Sequence, residues 1–231
     1  MAAYRLVIAD DHPLIRDALR LTIAQTFADV EIAEADSFDS LRASLDAAAE
    51  TDLVLLDLNM PGMQGFSGLL FLRAQFSAVP VAIISANDEP RIIRLALELG
   101  AIGYIAKSAT PGEIRAALSA LLAGKTWTPA SVDLRRRAED PEAELAPRLA
   151  RLTPQQVRVL MMLSEGLANK QIAHALDVSE ATVKAHVSAV LQKLGADNRT
   201  QAVILARRLA AEIGAAPPEI PRSAGGTRAG G

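Results

Sequence analysis

The chain has 231 residues, half of them hydrophobic, which is enough to build the cores of one large domain or two ordinary ones. It contains no cysteine, so disulfide bonds, thiol nucleophiles and thiolate metal sites are excluded. No secretory signal precedes the first acidic residues, and no window approaches the roughly 18 uninterrupted apolar residues of a membrane span. These features predict a cytoplasmic protein that has no membrane partner.

The net charge of −3 conceals a difference between the two parts of the chain. Residues 1–128 carry 10 Lys and Arg against 16 Asp and Glu, whereas residues 151–213 carry 8 against 5. This asymmetry indicates two domains with different partners, and the more basic one suits nucleic acid.

Strand and helix patterns alternate through the first predicted domain, residues 1–128. Short apolar stretches predict strands at 5–9, 30–35, 53–56, 81–85 and 103–106. Helical patterns follow them at 13–26, 37–50, 66–76, 89–99 and 110–123. This alternation predicts an α/β doubly wound fold, in which helices cover both faces of a five-stranded parallel sheet.

Polar side chains follow several of these strands. Asp10 and Asp11 come after the first strand, Asp57 after the third, Ser85 ends the fourth and Lys107 follows the fifth. Ligands of open α/β sheets bind beyond the carboxyl ends of the strands. Neighbouring carboxylates ionise together only beside cations, and Lys107 supplies a single positive charge. We therefore expect a hard divalent cation, Mg²⁺, among these oxygens.

This set of side chains predicts a site that accepts a phosphoryl group. Asp57 is expected to be the nucleophile and to become an aspartyl phosphate. Mg²⁺ and Lys107 would neutralise the transferring oxygens, and the Ser85 hydroxyl would bond one of them. A metal-dependent phosphatase is an alternative, but it would usually have a second acid two residues after its nucleophile, where Asn59 lies. A dinucleotide-binding domain is weaker still, because no glycine-rich loop follows the first strand.

The segments "LVIADDHPLIRDAL", "DLVLLDLNMPGMQG", "VAIISA" and "GAIGYIAKSATPGEI" resemble the receiver domain of bacterial response regulators. The resemblance covers about residues 4–125 and implies a flavodoxin-like fold that a histidine kinase phosphorylates. It also implies a role for each matching residue. The roles are phosphoacceptor for Asp57, metal ligands for Asp10, Asp11 and the backbone carbonyl of Asn59, switch pair for Ser85 and Tyr104, and invariant lysine for Lys107.

Residues 129–150 are highly charged and contain proline, so we interpret them as a linker that is partly helical. Residues 151–213 form the second, helical domain, and residues 214–231 have the composition of a disordered tail. Trp127, just before the linker, is expected to pack under the first domain.

Three helices are predicted in the second domain, with Thr153, Asn169 and Ser179 as N-caps. A short helix, the turn "DVSE" and a longer helix fit a DNA-binding helix-turn-helix. The longer helix has an apolar stripe, and its opposite face is small and polar with basic residues beside it. An ordinary amphipathic helix with a solvated face is the alternative. His174 and His186 lie on different helices, without ligand partners at metal-binding spacing.

"LTP…VL…LSEGLANKQIAHALDVSEATVKAHVSAVLQKLG…NRTQAV" resembles the LuxR-type DNA-binding domain, and the whole chain resembles a NarL/FixJ-class response regulator. The resemblance implies four helices, with 179–194 as the recognition helix and 200–211 as the dimer-forming one. Base contacts are implied for Lys184, Ala185 and Ser188, and phosphate contacts are expected at Lys170, Thr182, Lys193 and Arg199.

Two features of this second domain qualify the resemblance. Gln156 and Val157 replace a usual acidic and a usual basic residue, which predicts the loss of a salt bridge. The side chains of Ala185 and Ser188 are short, so we expect modest direct recognition of base edges. We expect DNA binding to depend in part on the shape of the DNA.

The expected protein is a phosphorylation-dependent transcriptional regulator that binds two DNA half-sites as a homodimer. It is not expected to be an enzyme beyond catalysing its own phosphorylation and dephosphorylation. A constitutive DNA-binding protein, whose first domain is structural or binds a small ligand, is the remaining alternative. Retention of the whole acidic set and Lys107 argues against it.

Overall fold

The structure, a computed structural model, describes residues 4–48, 50–63, 65–130, 132 and 145–211, with side chains described up to residue 206. Most of the predicted linker and the predicted tail lie outside these residues. Within the described part, no helix has the length and apolar character that a bilayer crossing requires.

The N-terminal domain is a parallel five-stranded sheet in the order β2-β1-β3-β4-β5. The strands are β1 (Tyr4–Ala9), β2 (Val30–Ala35), β3 (Leu53–Asp57), β4 (Val81–Ser85) and β5 (Gly103–Ala106). Every residue of β3 and β4 is buried, as expected for central strands covered on both faces. The predicted doubly wound fold is confirmed.

The helices of this domain are α1 (Pro13–Thr26), α2 (Phe38–Asp46), α3 (Ser67–Gln75), α4 (Pro90–Glu98) and α5 (Pro111–Leu122). One apolar cluster lies between the sheet and α1 and α5, and another lies on the opposite face under α2, α3 and α4. Helix α2 ends before the predicted residue 50. The chain after it is held against β1, where Arg5 donates to the Thr51 hydroxyl at 2.7 Å and, through its backbone, to Asp52 at 2.7 Å.

Trp127 packs under the first domain, as predicted. Its backbone continues the edge of the sheet, because its carbonyl accepts from the Tyr104 N–H at 2.9 Å. A Cβ on Gly103 would lie 3.0 Å from the Trp127 carbonyl oxygen and 2.7 Å from Leu121, so this close approach requires glycine.

The C-terminal helices are α6 (Leu145–Leu149), α7 (Pro154–Ser164), α8 (Asn169–Leu176), α9 (Glu180–Leu194) and α10 (Arg199–Ala211). Thr153 caps α7 and Ser179 caps α9, as predicted, and Gln156 completes a capping box with Thr153. The prediction of Asn169 as the cap of α8 is wrong. Ala168 is the N-cap, and the Gln171 side chain accepts its backbone N–H at 2.7 Å.

The two domains share an apolar interface. Helix α3 of the first domain packs on α7, and α6, which lies within the predicted linker, contacts both α4 and α9. Leu145, Ala146 and Leu149 of α6 are buried in the same cluster as the residues under α4. The end of the predicted linker is therefore a helix docked between the domains.

Candidate functional site

The acidic side chains predicted from the strand ends lie together at the carboxyl edge of the sheet. Asp57 ends β3, and Asp10 follows β1, the neighbouring strand. The Lys107 Nζ atom, beyond β5, lies 2.9 Å from Asp57 Oδ2 and 2.7 Å from Asp10 Oδ2. The first contact is a hydrogen bond, whereas the second is an ion pair without hydrogen-bond geometry. One ammonium group therefore bridges two buried carboxylates.

Local backbone contacts fix Asp10. Its N–H donates to the Ala35 carbonyl at 3.0 Å, which extends the pairing of β1 with β2. Its own carbonyl accepts from Arg16 Nη1 at 2.7 Å, and Arg16 Nε reaches Glu34 at 3.1 Å. The Asp10 side chain is therefore held without solvent exposure. Sequence reasoning missed Arg16, although its place on the first helix, six residues beyond Asp10, was a usable signal.

Burial and charge oppose each other in this pocket. Burial raises the pKa of Asp57, and the nearby Asp10 charge adds to the rise, while Lys107 and the Asn59 backbone oppose it. Burial also lowers the pKa of Lys107, but the adjacent Asp10 and Asp57 carboxylates together outweigh it, so the net shift is upward. Lys107 therefore stays charged. Its single positive charge does not balance the negative charges of the neighbouring carboxylates.

The pocket has the donor set of a metal site. One potential ligand atom from each of Asp10, Asp11, His12 and Asp57 lies within 4.8 Å of all the others. Asp10 Oδ2 and Asp11 Oδ1 are buried and accept no hydrogen bond. Their nearest nitrogen atoms are Lys107 Nζ, 2.7 Å from the Asp10 oxygen, and His12 Nδ1, 2.7 Å from the Asp11 oxygen. A single ammonium group does not balance three neighbouring carboxylates, so a divalent cation among them would be favourable. His12 was not predicted as a member of this group, although it directly follows the acid pair in the sequence.

The predicted switch residues are joined by the loop after β4. Ser85 is buried, and its hydroxyl accepts the Asn87 N–H at 3.2 Å. Tyr104 is fully buried, and its hydroxyl donates to the Asn87 carbonyl. Burial raises the pKa of Tyr104 to about 12, against the opposing effect of a hydrogen bond with Ser85. The ring is thus turned inward, and Asn87 connects it to the acidic pocket.

Helix α9 has the two faces that its sequence predicts. Val183, Val190 and Leu194 are buried, and Lys184, Ala185 and Ser188 are exposed together on the other side. Thr182 and Lys170 are also exposed, although the Thr182 backbone is bound by the Ser179 cap. The receiver-side helices pack on α7 and α6, so the exposed face of α9 remains open to solvent.

Lys193 and Arg199 have partners inside the domain. Lys193 Nζ donates to the Arg151 carbonyl at 2.8 Å and to Gln156 Oε1 at 2.7 Å. Gln156, at which the loss of a salt bridge was predicted, therefore accepts a hydrogen bond from a lysine. Arg199 donates to Asn169 Oδ1 at 3.1 Å and to the Leu167 carbonyl. Both cations hold neighbouring helices together, whereas Lys170 and Lys184 are the exposed ones.

Comparison with known proteins identifies both domains. Residues 6–119 match the family model of the response regulator receiver domain, and residues 150–206 match that of bacterial regulatory proteins of the luxR family. The chain is 40% identical over 209 residues to the glycerol metabolism activator of Pseudomonas putida, covering 88% of this chain and 95% of the relative.

Further relatives agree with these matches. The nitrate/nitrite response regulator protein NarL of Escherichia coli strain K12 is 31% identical over 205 residues, covering 86% of this chain and 93% of NarL. Among solved structures, the RcsB response regulator of Salmonella typhimurium is 26% identical, with a TM-score of 0.53 over 90% of this chain and 100% of RcsB. The chain belongs to the response regulators of two-component systems, with a receiver domain followed by a LuxR-type DNA-binding domain.

Proposed function

We propose that Asp57 accepts a phosphoryl group from a histidine kinase and that the phosphorylated protein regulates transcription at promoters through α9. The observation that carries the proposal is the Lys107 ammonium, held 2.9 Å from Asp57 and 2.7 Å from Asp10 at the end of a buried strand. Such a cation, next to a nucleophile, is suited to neutralise phosphoryl oxygens. The protein would act in the cytoplasm.

Mg²⁺ fits the oxygens of this pocket. The Asp10, Asp11 and Asp57 carboxylates and the Asn59 backbone carbonyl would hold it, since Mg²⁺ prefers oxygen ligands and completes its shell with substrate phosphate. The close grouping of possible ligand atoms from Asp10, Asp11 and Asp57, all within 4.8 Å of one another, supports this assignment. When bound, Mg²⁺ would neutralise the charge shared by the carboxylates and the incoming group.

The chemistry assigned to this chain's own residues is simple. An Asp57 oxygen forms the new bond to phosphorus as the bond to the donor nitrogen of the kinase breaks. Lys107 holds Asp57 in position and then pairs with a phosphoryl oxygen, and the Ser85 hydroxyl donates to another. The receiver would catalyse only its own phosphorylation and dephosphorylation.

The loop after β4 would carry the signal outward. Asn87 contacts both Ser85 and Tyr104, so a Ser85 hydroxyl that turns toward the phosphoryl group would release the Asn87 N–H. The loop leads directly into α4, which contacts α6, and α6 contacts α9. Phosphate and Mg²⁺ would stabilise the active arrangement, so a minor active population is expected without them.

The domain contacts suggest which step phosphorylation controls. The exposed face with Lys184, Ala185 and Ser188 is open, so the receiver does not need to move to uncover it. Ala206 of α10, however, lines an apolar cleft together with Phe66 and Leu70 of the receiver side. We therefore assign the controlled step to homodimerisation through α10, after which two copies of α9 bind two half-sites.

The test measures phosphorylation and DNA binding on the same protein. Acetyl phosphate with Mg²⁺ is expected to add one phosphoryl group, detected by intact-protein mass spectrometry, and to sharpen a DNase footprint on the protein's own genome. Asp57→Ala should abolish both effects, whereas Asp29→Ala, at an exposed carboxylate outside the pocket, should change neither. Labelling that persists in Asp57→Ala would contradict the phosphoacceptor assignment. A footprint unaffected by phosphorylation would favour a constitutive DNA-binding protein.

A further inference from the structure

A polar cavity lies between the two domains and includes no residue of the acidic pocket. Its volume is about 240 Å³, and its walls come from α2 and α3 of the receiver and from the start of α7. The polar side chains that line it are those of Arg42, Asp46, Gln75, Gln155 and Arg158. Two arginines, one from each domain, therefore meet at one cavity.

The two guanidinium groups of this cavity have few protein partners. Arg42 Nε lies 3.8 Å from Asp46 Oδ2, a distance too long for a hydrogen bond. Among the residues that the structure describes, neither Arg42 nor Arg158 donates a hydrogen bond to a protein group, and Arg158 forms no ion pair. Each guanidinium group carries five N–H donors in a planar arrangement. The cavity therefore holds two sets of donors that could bind the oxygens of one ligand.

The charges around the cavity favour an anion. Burial lowers the pKa of Arg158, and repulsion from Arg42 lowers it further, against a smaller opposing effect of Asp39. The two arginines therefore repel each other across the domain interface, which an anion between them would relieve. Asp46 supplies one negative charge to the walls, so the lining side chains keep an excess of one positive charge.

The first turn of α7 adds to this positive field. Pro154 and Gln155, the first two residues of this 11-residue helix, line the cavity. The N-terminus of a helix carries a partial positive charge and presents backbone N–H groups, so it favours anions. The helix end thus supports the same sign of ligand as the two arginines, on independent grounds.

We propose that this cavity binds the phosphate group of a small molecule, held jointly by Arg42 of the receiver and Arg158 of the DNA-binding domain. A phosphate monoester offers three acceptor oxygens and a charge of about −1.5 to −2, which suits two guanidinium groups at once. A carboxylate, with two oxygens and one charge, would satisfy only one of them. The bound phosphate would link α2 to α7 and stabilise the docked arrangement of the domains.

The experiment is calorimetric titration of the full chain at constant ionic strength, with a chelator present so that the acidic pocket holds no metal. The probes are inorganic phosphate, ribose 5-phosphate and, as a carboxylate, succinate. One phosphate-binding site is expected, and Arg42→Gln and Arg158→Gln should each weaken it by about tenfold or more. Tighter binding of ribose 5-phosphate would identify an organic phosphate as the ligand, whereas equal affinities would identify phosphate itself. Both outcomes support the proposal.

A matched control is Arg115→Gln, which removes the same charge from an exposed position on α5 and should leave the affinity unchanged. Arg158→Lys keeps the charge but loses the planar donors, so it should restore only part of the affinity. Circular dichroism checks that each variant is folded. The proposal is overturned if the wild-type protein binds neither phosphate probe, if succinate binds as tightly as phosphate, or if Arg115→Gln weakens binding as much as Arg158→Gln.

Discussion

In the receiver, the side chains proposed to react are buried at the ends of strands, whereas those proposed to read DNA stand on the exposed side of one helix. Asp10 and Asp57 are positioned by the sheet and by Lys107, which contacts both. Lys184 and Ser188, by contrast, are exposed to solvent on α9. Changes in the first region should therefore alter folding and chemistry together, and changes in the second should alter binding alone.

The largest effect is expected from Lys107→Ala. Removing the cation leaves Asp10 and Asp57 buried together without their shared ammonium partner, which should lower the free energy of unfolding by about 3–5 kcal/mol in metal-free buffer. Urea unfolding with and without Mg²⁺ measures this, and Mg²⁺ should restore part of the loss. Lys125→Ala, at an exposed position, should change stability by less than about 0.5 kcal/mol. Equal stability of the two variants would show that the pocket does not depend on Lys107.

Lys184→Ala and Lys170→Ala form a pair that tests the exposed face. Lys184→Ala should weaken binding to the cognate operator by about 1–3 kcal/mol and reduce discrimination among operator variants. Lys170→Ala should weaken binding to all sequences alike and lower the slope of affinity against salt by about 1. Fluorescence anisotropy at several salt concentrations measures both. Thermal melting should be unchanged in either variant, and a lower melting temperature would contradict the proposed separation of binding from folding.

Lys193→Ala tests a residue that lies between these two classes. Its ammonium donates to Gln156 and to the Arg151 carbonyl, so its removal should lower the stability of the protein by about 1–2 kcal/mol. A residue whose only role is phosphate contact would reduce the salt dependence of DNA binding without any loss of stability. Chemical denaturation and DNA titration of the same preparation distinguish these outcomes.

The smallest effect is expected from Asp57→Asn in a buffer containing a metal chelator. Burial raises the pKa of Asp57 above its ordinary value of 3.8, so ionised Asp57 destabilises the fold at neutral pH. The amide should therefore stabilise the metal-free protein at pH 7. This advantage should fade as the pH falls through the raised pKa of Asp57 and disappear below 3.8, the ordinary value at which the unfolded chain is also protonated. An advantage independent of pH would show that charge is not its cause.

The acidic pocket was largely predictable from sequence because parallel strands end at one edge of a sheet. The positions of Asp10, Asp57 and Lys107 follow from that topology once the strands are recognised. His12 and Arg16 were missed because their roles depend on the direction of a ring and on the reach of a long side chain. Neither property is specified by the alternation of strands and helices.

The C-terminal domain shows the same limit at its helix ends. The cap of α9 follows from Ser179, whose side chain binds a backbone N–H of its own first turn. The partners of Arg199, in contrast, are the Leu167 carbonyl in the turn before α8 and the side chain of Asn169, the first residue of α8, and these contacts depend on how α10 packs. Docking of α6 between the domains was also beyond prediction, since a short helix among charged residues has no strong periodicity of its own.

Trp127 is the single tryptophan of the chain, and its carbonyl accepts the backbone N–H of Tyr104. The indole therefore stands beside the strand whose tyrosine is assigned to the switch, at the point where the receiver leads toward the DNA-binding domain. Its emission spectrum offers an intrinsic optical reporter of that strand, which would let the lifetime of the activated protein be timed in a cuvette without a dye.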